Sequence, residues 1–256
     1  MLTRNREDFQ RIRIKTDNRL GRTAKGKPQN QETLTPRFMR AEEAVVFTEI
    51  ADDMRNREKE MEKELLNILP EMPIYDAFLK DIPGLGTVTA GHICGHFDIF
   101  EAEAVSNLWA FAGLSSHLVH GIKVNAKTGK RYVTEELVRA DKLTPTFVSP
   151  FNKQLRIALC GVMADCFIKA QNKYALDFYY PYKHRLENSD KEVMENGKMV
   201  AWKNAAKGHR HRAAIRYMVK MFLADLYAAW RPLHGLAVRA PYQEEYLGHK
   251  HNKKVA

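Results

Sequence analysis

The chain has 256 residues, a net charge of +10 and a hydrophobic content of 45%, which suits one sizeable core or two small ones. No run approaches the roughly 18 apolar residues that cross a bilayer, so a membrane protein is not expected. Three cysteines without a Cys-x-x-Cys spacing predict neither a disulfide framework nor a zinc knuckle. The charged start of the chain indicates no secretory leader, which predicts a cytoplasmic, nucleoid-associated protein.

The charge is distributed unevenly along the chain. Residues 1–40 have a net charge of +7, residues 41–112 of −10 and residues 113–256 of +13. A basic excess on two separate parts of the chain predicts a polyanionic partner, DNA or structured RNA. The alternative is that surface lysines only keep the protein soluble.

The amino-terminal part divides into an arm and a helix. Residues 1–36 lack apolar periodicity and end in the polar, turn-rich "GRTAKGKPQNQETLTP", which predicts a basic flexible arm. Residues 37–71 are predicted as one long helix, because no Gly or Pro occurs from Arg37 to Leu69. Apolar residues recur there every seven positions, which favours a coiled-coil or antiparallel helix partner and a homodimer or higher oligomer. The alternative is that this stripe packs on the protein's own core.

Residues 72–146 begin with two helical segments around a glycine corner, "DIPGLGTVTAGHICGHF". Pro83 stops the first helix, the two glycines permit positive φ and close approach, and Thr87 is suited to capping the second helix. The free amides and the dipole of a helix start favour a phosphate oxygen, so this is the pattern of a helix-hairpin-helix DNA-binding unit. The predicted phosphate contacts are Gly84, Leu85, Gly86 and Thr87. An ordinary corner of a helical domain is the alternative.

A small β-hairpin is predicted after these helices. Residues 122–134 alternate β-prone side chains around the turn "AKTG", which predicts a basic ribbon able to enter a groove. Its candidate DNA contacts are Lys123, Lys127, Lys130 and Arg131. The alternative is a surface loop, and the following segment "EELVRADKLTPTFVSP" is predicted as an irregular connector.

Residues 147–236 are predicted to be helical, and residues 237–256 form a basic tail. Two helices with apolar faces, one beginning near Asn152 and one ending near Trp230, are expected to pack together. Further candidate phosphate contacts lie on these helices: Lys153, Arg156, Arg210, Arg212 and Arg216. The predicted fold is therefore mainly α, with a helix-hairpin-helix unit, a long amino-terminal helix and a small β-hairpin.

The order of these motifs resembles the carboxy-terminal transposase domain of the insertion-sequence 110/116/902 family, relatives of the Piv-type DNA invertases. The resemblance covers roughly residues 75–235. It depends on the following matches: Ile82 to Gly86 with Thr89 and Ala90, Ala112 to Leu114, Asn152, Lys153, Leu155 and Arg156, and the run from Arg212 to Trp230. It implies DNA binding in transposition or DNA recombination within a mobile element.

The chain also departs from that family. Full-length members have an amino-terminal RNase H-like half with four acidic residues that bind divalent metal, and no counterpart is recognised here. Mg²⁺ is therefore expected only if a partner supplies the missing acidic site, and no other cofactor is evident. His92 and His96 are four residues apart without a third ligand nearby, so no metal site is predicted.

The family's serine nucleophile has no clear equivalent. Ser115 and Ser116 lie just upstream of its expected position, near His117 and His120 as candidate bases. The alternative is that both serines only terminate a helix. The sequence thus predicts a DNA-binding protein of the transposase or site-specific recombinase type. A compact serine recombinase and a non-catalytic interaction protein of a mobile element or virus are the alternatives.

Overall fold

The structure, a computed structural model, describes residues 2–22 and 39–239. Over these residues the chain is mainly helical, as the sequence predicts, and it has two short antiparallel hairpins. It divides into two compact units, residues 1–72 and residues 73–256. None of the described helices is both long and apolar enough to span a membrane.

The first unit is a pair of antiparallel helices, α1 (Leu2–Arg19) and α2 (Ala41–Ile68). Helix α1 corrects the prediction that residues 1–36 form a flexible arm, at least for its first half. The rest of that arm, residues 23–36, lies outside the described residues, as do residues 37–38 at the start of the predicted long helix. A single 3₁₀ turn, Leu69–Glu71, follows α2, because Pro70 cannot continue the α-helical hydrogen bonding.

Buried charges join α1 to α2. The guanidinium of Arg13 donates to Glu58 and to Asp17, with Nη–O distances of 3.3 Å in each case. Arg55 donates to both carboxylate oxygens of Asp17 at 2.6 and 2.8 Å, and Asp17 is only 1% exposed. Because ionic side chains face the partner helix, apolar periodicity gave no sign of α1.

Helix α2 confirms the prediction of a long helix. The side chain of Glu43 accepts from the Arg40 amide and stabilises its first turn. Ala51, Glu58 and Leu65 are buried at a spacing of seven residues, and Glu58 meets α1. The stripe predicted for a partner is thus covered at least partly by α1 of the same chain, and self-association stays a prediction.

The second unit begins with a wide, π-type helical turn (Tyr75–Leu79), followed by the glycine corner. Helices α3 (Thr87–His96) and α4 (Val105–Phe111) come next. Leu79 and Ile93, which flank the corner in sequence, are both fully buried. The corner is therefore held at the surface by apolar anchors on either side.

The predicted β-hairpin is present and longer than expected. Strand β1 (Leu118–Val124) pairs with β2 (Arg131–Arg139), with an irregularity in the register between His120 and Ile122. The connector prediction is wrong for residues 135–139, because β2 continues through them. A second hairpin, β3 (Glu192–Glu195) with β4 (Lys198–Ala201), was not predicted.

The remaining elements form the helical core of the second unit. Helix α5 (Lys153–Ile157) continues through a wide turn (Ala158–Met163) into α6 (Ala164–Lys169). Another wide turn (Ala175–Tyr179) leads into α7 (Tyr180–Glu187), and after the second hairpin the 3₁₀ turn Trp202–Asn204 precedes α8 (Lys207–Leu233).

Packing between α8 and the α5–α7 segment confirms the predicted pairing of two amphipathic helices. The centroid of the Phe222 ring lies 5.6 Å from that of Phe167 and 5.4 Å from that of Tyr174, in edge-on geometry in both cases. All three side chains are fully buried. Such aromatic contacts stabilise a core beyond the area that they bury. Of the predicted basic tail, residues 237–239 are described and residues 240–256 lie outside the described residues.

Candidate nucleic-acid interface

The glycine corner is a tight turn on the surface. Gly84 has a φ of +86°, and the amide of Leu85 donates to the carbonyl of Ile82 at 3.0 Å, which closes the turn. Gly86 is the N-cap of α3 and has no side chain to cap it, and Thr87 is the first helical residue. The expected cap by Thr87 is therefore wrong, and the first-turn amides of α3 precede its first i−4 hydrogen bond, from Ala90 to Gly86.

A second set of contacts fixes the corner from behind. Asn172 Nδ2 donates to the carbonyl of Pro83 at 3.0 Å, and Asn172 Oδ1 accepts from the amide of Ala175 at 3.1 Å. Gly84 approaches the backbone of Cys166 so closely that any side chain would collide with it. Gly86 has no neighbour within 4 Å of a Cβ position, so this side of the corner is open to a ligand.

The ribbon of β1 and β2 is more exposed than a core hairpin. All but two of the nine positions of β2 are exposed, whereas a strand packed on a core buries alternate residues. Tyr132, Val133 and Leu137 are each about half exposed or more, at 49%, 67% and 53%. On the other strand, the Phe147 ring packs against Gly121, so β1 contacts the segment that follows β2.

The tip of the ribbon is an ordered, basic turn. Asn125 Oδ1 accepts from the amides of Lys127 and Thr128 at 2.9 and 3.1 Å, a side-chain turn that fixes the loop. Lys127, Lys130 and Arg131 are exposed, and none of them forms an ion pair with any residue that the structure describes. Lys123 is different, since its Nζ lies 3.8 Å from Glu136 and 4.7 Å from the centre of the Phe147 ring.

The predicted contacts on the helices fall into distinct environments. Lys153 and Arg212 are exposed, Lys153 at the first residue of α5 and Arg212 in the second turn of α8. Arg210 is already hydrogen-bonded within the protein, because its Nη1 donates to the carbonyls of Lys203 and Ala205 at 2.9 and 2.5 Å. These bonds join the 3₁₀ turn before α8 to the helix, so Arg210 has a structural role.

Arg156 belongs to a cluster of cations that the sequence did not reveal as a group. We define the cationic cluster as Arg139, Asp141, Arg156, Arg216 and Lys220. Arg139 donates to both carboxylate oxygens of Asp141 at 2.9 and 2.8 Å, and Arg156 Nη1 donates to the Asp141 carbonyl at 2.6 Å. Burial alone would raise the pKa of the Asp141 carboxyl, but the hydrogen bond and charge of Arg139 lower it below its usual value.

Arg216 and Lys220 are one turn apart on α8 and only partly exposed. Burial lowers the pKa of Arg216, and the neighbouring charges of Arg156 and Arg139 lower it further against the attraction of Asp141. Burial also lowers the pKa of Lys220, helped by the charge of Arg216. The cluster thus holds four cations around one carboxylate.

Ser115 and Ser116 lie in the loop between α4 and β1, and this loop approaches the cluster at Gly113. Two residues earlier, a Cβ at Gly113 would lie 3.1 Å from Arg156 Nη1. In the described part of the chain neither serine hydroxyl bonds to a histidine, and His120 Nδ1 instead contacts the Thr134 carbonyl at 3.1 Å. The serine–histidine arrangement that a nucleophile needs is therefore not formed, and serine catalysis stays a prediction.

Metal-binding side chains are not assembled either. The rings of His92 and His96 stack with centroids 5.6 Å apart, and residues 2–22 and 39–239 contain no group of three side chains suited to a metal ion. Comparison with protein-family models, curated proteins and solved structures finds no match for this chain. The transposase resemblance therefore stays a prediction from the motifs themselves.

Sequence reasoning missed three members of the cationic cluster, Arg139, Asp141 and Lys220. One signal was available for Lys220: Arg212, Arg216 and Lys220 recur every four residues along a helix that is otherwise mostly apolar. Side chains at that spacing share one helix face. No sequence pattern links Arg139 or Asp141 to α8. These residues are far from α8 in sequence, and only the fold brings them close to it.

Proposed function

We propose that this chain binds the phosphate backbone of duplex DNA through the β1–β2 ribbon, as a DNA-binding protein of the transposase or recombinase type. The observation that supports the proposal best is the tip of the ribbon. Residues 123–131 contain four Lys or Arg and no Asp or Glu, and Lys127, Lys130 and Arg131 are exposed. Cations that are not neutralised within the protein are available to phosphates.

The shape of the ribbon suits a DNA groove. The major groove of B-DNA, about 12 Å wide, admits a two-stranded β-ribbon. At about 3.3 Å per residue, the nine residues of β2 span about 30 Å, enough to follow the groove for most of a turn. Exposed apolar side chains such as Tyr132 and Val133 are available to meet sugars and thymine methyl groups.

The glycine corner supports the same function as a second phosphate contact. Its open side at Gly86 adjoins the first-turn amides of α3, and such amides favour an anion without reading base sequence. Arg212 and Lys153 are exposed and add positive charge. We therefore expect binding that depends weakly on base sequence and strongly on salt.

The test is fluorescence anisotropy of a labelled duplex across a range of salt concentrations. If the four ribbon cations each neutralise a phosphate, they contribute about −3.5 to the slope of log affinity against log salt. The variant Lys127→Ala with Lys130→Ala should make that slope shallower by about 2. Its matched control is Lys191→Ala with Lys198→Ala, which removes two exposed lysines at the other hairpin.

The control separates the ribbon from general charge. If the slope becomes shallower by the same amount in both double variants, total charge alone attracts DNA, and the ribbon proposal is wrong. An RNA hairpin of the same length is the second probe. Tighter binding to RNA than to the duplex, lost in the Lys127 and Lys130 variant, would assign the ribbon to structured RNA instead of DNA.

A further inference from the structure

We propose that Arg156, Arg216 and Lys220 form a binding site for a single phosphate group, beside the loop that contains Ser115 and Ser116. The site goes beyond the proposed function, because it is made by α5, α8 and the segment after β2 rather than by the ribbon tip. It takes a tetrahedral oxyanion, either free phosphate or the phosphate of a nucleotide.

The first argument is the balance of charge. Asp141 is the only carboxylate in the cationic cluster, and both of its oxygens accept hydrogen bonds from Arg139. That pairing leaves three cations with no carboxylate partner among the described residues. A partly buried charge without a partner is costly, since burial removes part of its hydration.

The second argument is the arrangement of Arg216 and Lys220. Like charges four residues apart on a helix repel one another, and both side chains are partly withdrawn from water. Arg216 makes no hydrogen bond to any residue of the described chain, although a guanidinium has five N–H donors. The described residues give the Arg216 donors no acceptor, and Asp141, which attracts Arg216, already accepts two hydrogen bonds from Arg139. This is the situation expected when the acceptor for Arg216 is a ligand.

The third argument is that two of the three cations, Arg156 and Lys220, are held in place before any ligand arrives. Arg156 is fixed by its bond to the Asp141 carbonyl and lies 4.8 Å from the centre of the Phe151 ring. Lys220 Nζ lies 5.2 Å from the centre of the Trp109 ring, and Trp109 Nε1 donates to the Lys220 carbonyl at 3.1 Å. Groups ordered in advance lose less entropy on binding.

Access and stoichiometry point to phosphate. The charged nitrogens of Arg216 and Lys220 are not among the buried atoms left without a partner, so they still meet solvent. A monovalent carboxylate would neutralise one of three cations, whereas a phosphate has more charge and several oxygens. Arginine pairs bidentately with such oxygens, which makes two arginines and a lysine a suitable set.

The experiment measures thermal unfolding of the full chain with sodium phosphate, against sodium chloride at the same ionic strength. At a phosphate concentration ten times the Kd, we expect Tm to rise by about 4 °C. Arg216→Gln should abolish this rise and, without phosphate, should melt at or above the wild-type Tm. Arg212→Gln is the matched control, since Arg212 is exposed one turn earlier on the same helix, and it should keep the rise.

A second substitution and a second ligand complete the test. If Arg216→Gln does not fold, Lys220→Gln replaces it, with the same loss of the phosphate response expected. A rise with inorganic phosphate identifies free phosphate as sufficient, and a rise only with a 5′-phosphorylated dinucleotide identifies a nucleotide phosphate. Either result supports the site when it depends on Arg216 or Lys220.

Two results would overturn the inference. One is a Tm rise of equal size in wild type, Arg216→Gln and Lys220→Gln, and the other is no rise beyond that given by chloride with either ligand. The double variant Lys127→Ala with Lys130→Ala should keep the phosphate response. This control tests the phosphate site independently of the ribbon.

Discussion

Gly84 lies against the backbone of Cys166, so that a Cβ at position 84 would stand 2.9 Å from the Cys166 carbonyl oxygen. The φ of Gly84, +86°, is also one that other residues rarely adopt. This glycine is therefore required by packing and by backbone conformation, whatever the corner binds. Gly86, two residues on, has neither constraint. Substitutions at Gly84 therefore test folding, whereas substitutions at Gly86 test binding.

Substitution of the two glycines should have opposite consequences for stability. Gly84→Ala should lower the free energy of unfolding by about 2 kcal/mol or more, because it adds strain at positive φ to a backbone collision. Gly86→Ala should change it by about 0.5 kcal/mol or less. Urea unfolding followed by circular dichroism measures both. A stable Gly84→Ala protein would show that the corner moves away from Cys166 at little cost.

Binding at the corner is tested by charge at Gly86. Asp and Asn both cap a helix well, so Gly86→Asp and Gly86→Asn should each fold and keep α3. Asp also places a carboxylate where a phosphate is expected, so Gly86→Asp should bind duplex DNA about tenfold more weakly than Gly86→Asn. Anisotropy at fixed, low salt measures the difference. Equal affinities would remove the corner from the DNA-binding surface.

Local signals in the sequence were enough to predict several elements. Helix α2 was predicted because no Gly or Pro interrupts residues 37–69, and the corner was predicted from Pro83, Gly84 and Gly86. The β3–β4 hairpin had a local signal that was passed over, Asn196 followed by Gly197, both of which have positive φ in the structure. Asn-Gly between alternating residues is a strong hairpin signal.

Long-range pairing explains what the sequence did not reveal. Arg13 and Glu58 are 45 residues apart, and no periodicity marks α1 as a partner of α2. The cationic cluster joins Asp141 to side chains of α5 and α8, and only the packed fold brings these residues together. The prediction ended strand β2 too early. Its residues are exposed on both faces, which removes the alternation of apolar and polar residues that identifies a strand.

The buried charges of the first unit should dominate its stability. The hydrogen bond that Arg13 donates to Glu58 is the main cause of a raised pKa at Arg13, and Glu58 is itself buried. Glu58→Ala should lower the free energy of unfolding by about 3 kcal/mol or more, because it removes one partner of a buried pair. Urea unfolding by circular dichroism measures this loss.

Two further variants show whether charge pairing is the cause. Glu60→Ala alters an exposed residue of the same helix and should change stability by about 0.5 kcal/mol or less. Arg13→Met combined with Glu58→Met removes both charges and should cost less than Glu58→Ala alone. If the double variant is the less stable of the two, an uncompensated charge at Arg13 is not the source of the loss.

His211 should make stability depend on mildly acidic pH. Its Nδ1 contacts Tyr179 Oη at 2.7 Å. Partial burial lowers its pKa below the ordinary value of 6.5, and the charges of Lys183 and Arg212 lower it further. Between 6.5 and the lower pKa of the folded state, the unfolded chain binds more protons at this residue. Stability should therefore fall as pH drops through 6.5.

The dependence is isolated by comparing variants over one pH range. Urea unfolding is measured from pH 7.5 to 5. The free energy of unfolding should fall less steeply with pH in His211→Gln than in wild type, since glutamine does not titrate. Lys183→Gln removes one of the charges that lower the His211 pKa, so it should give an intermediate slope. Identical slopes in wild type and His211→Gln would show that other groups cause the loss of stability in acid.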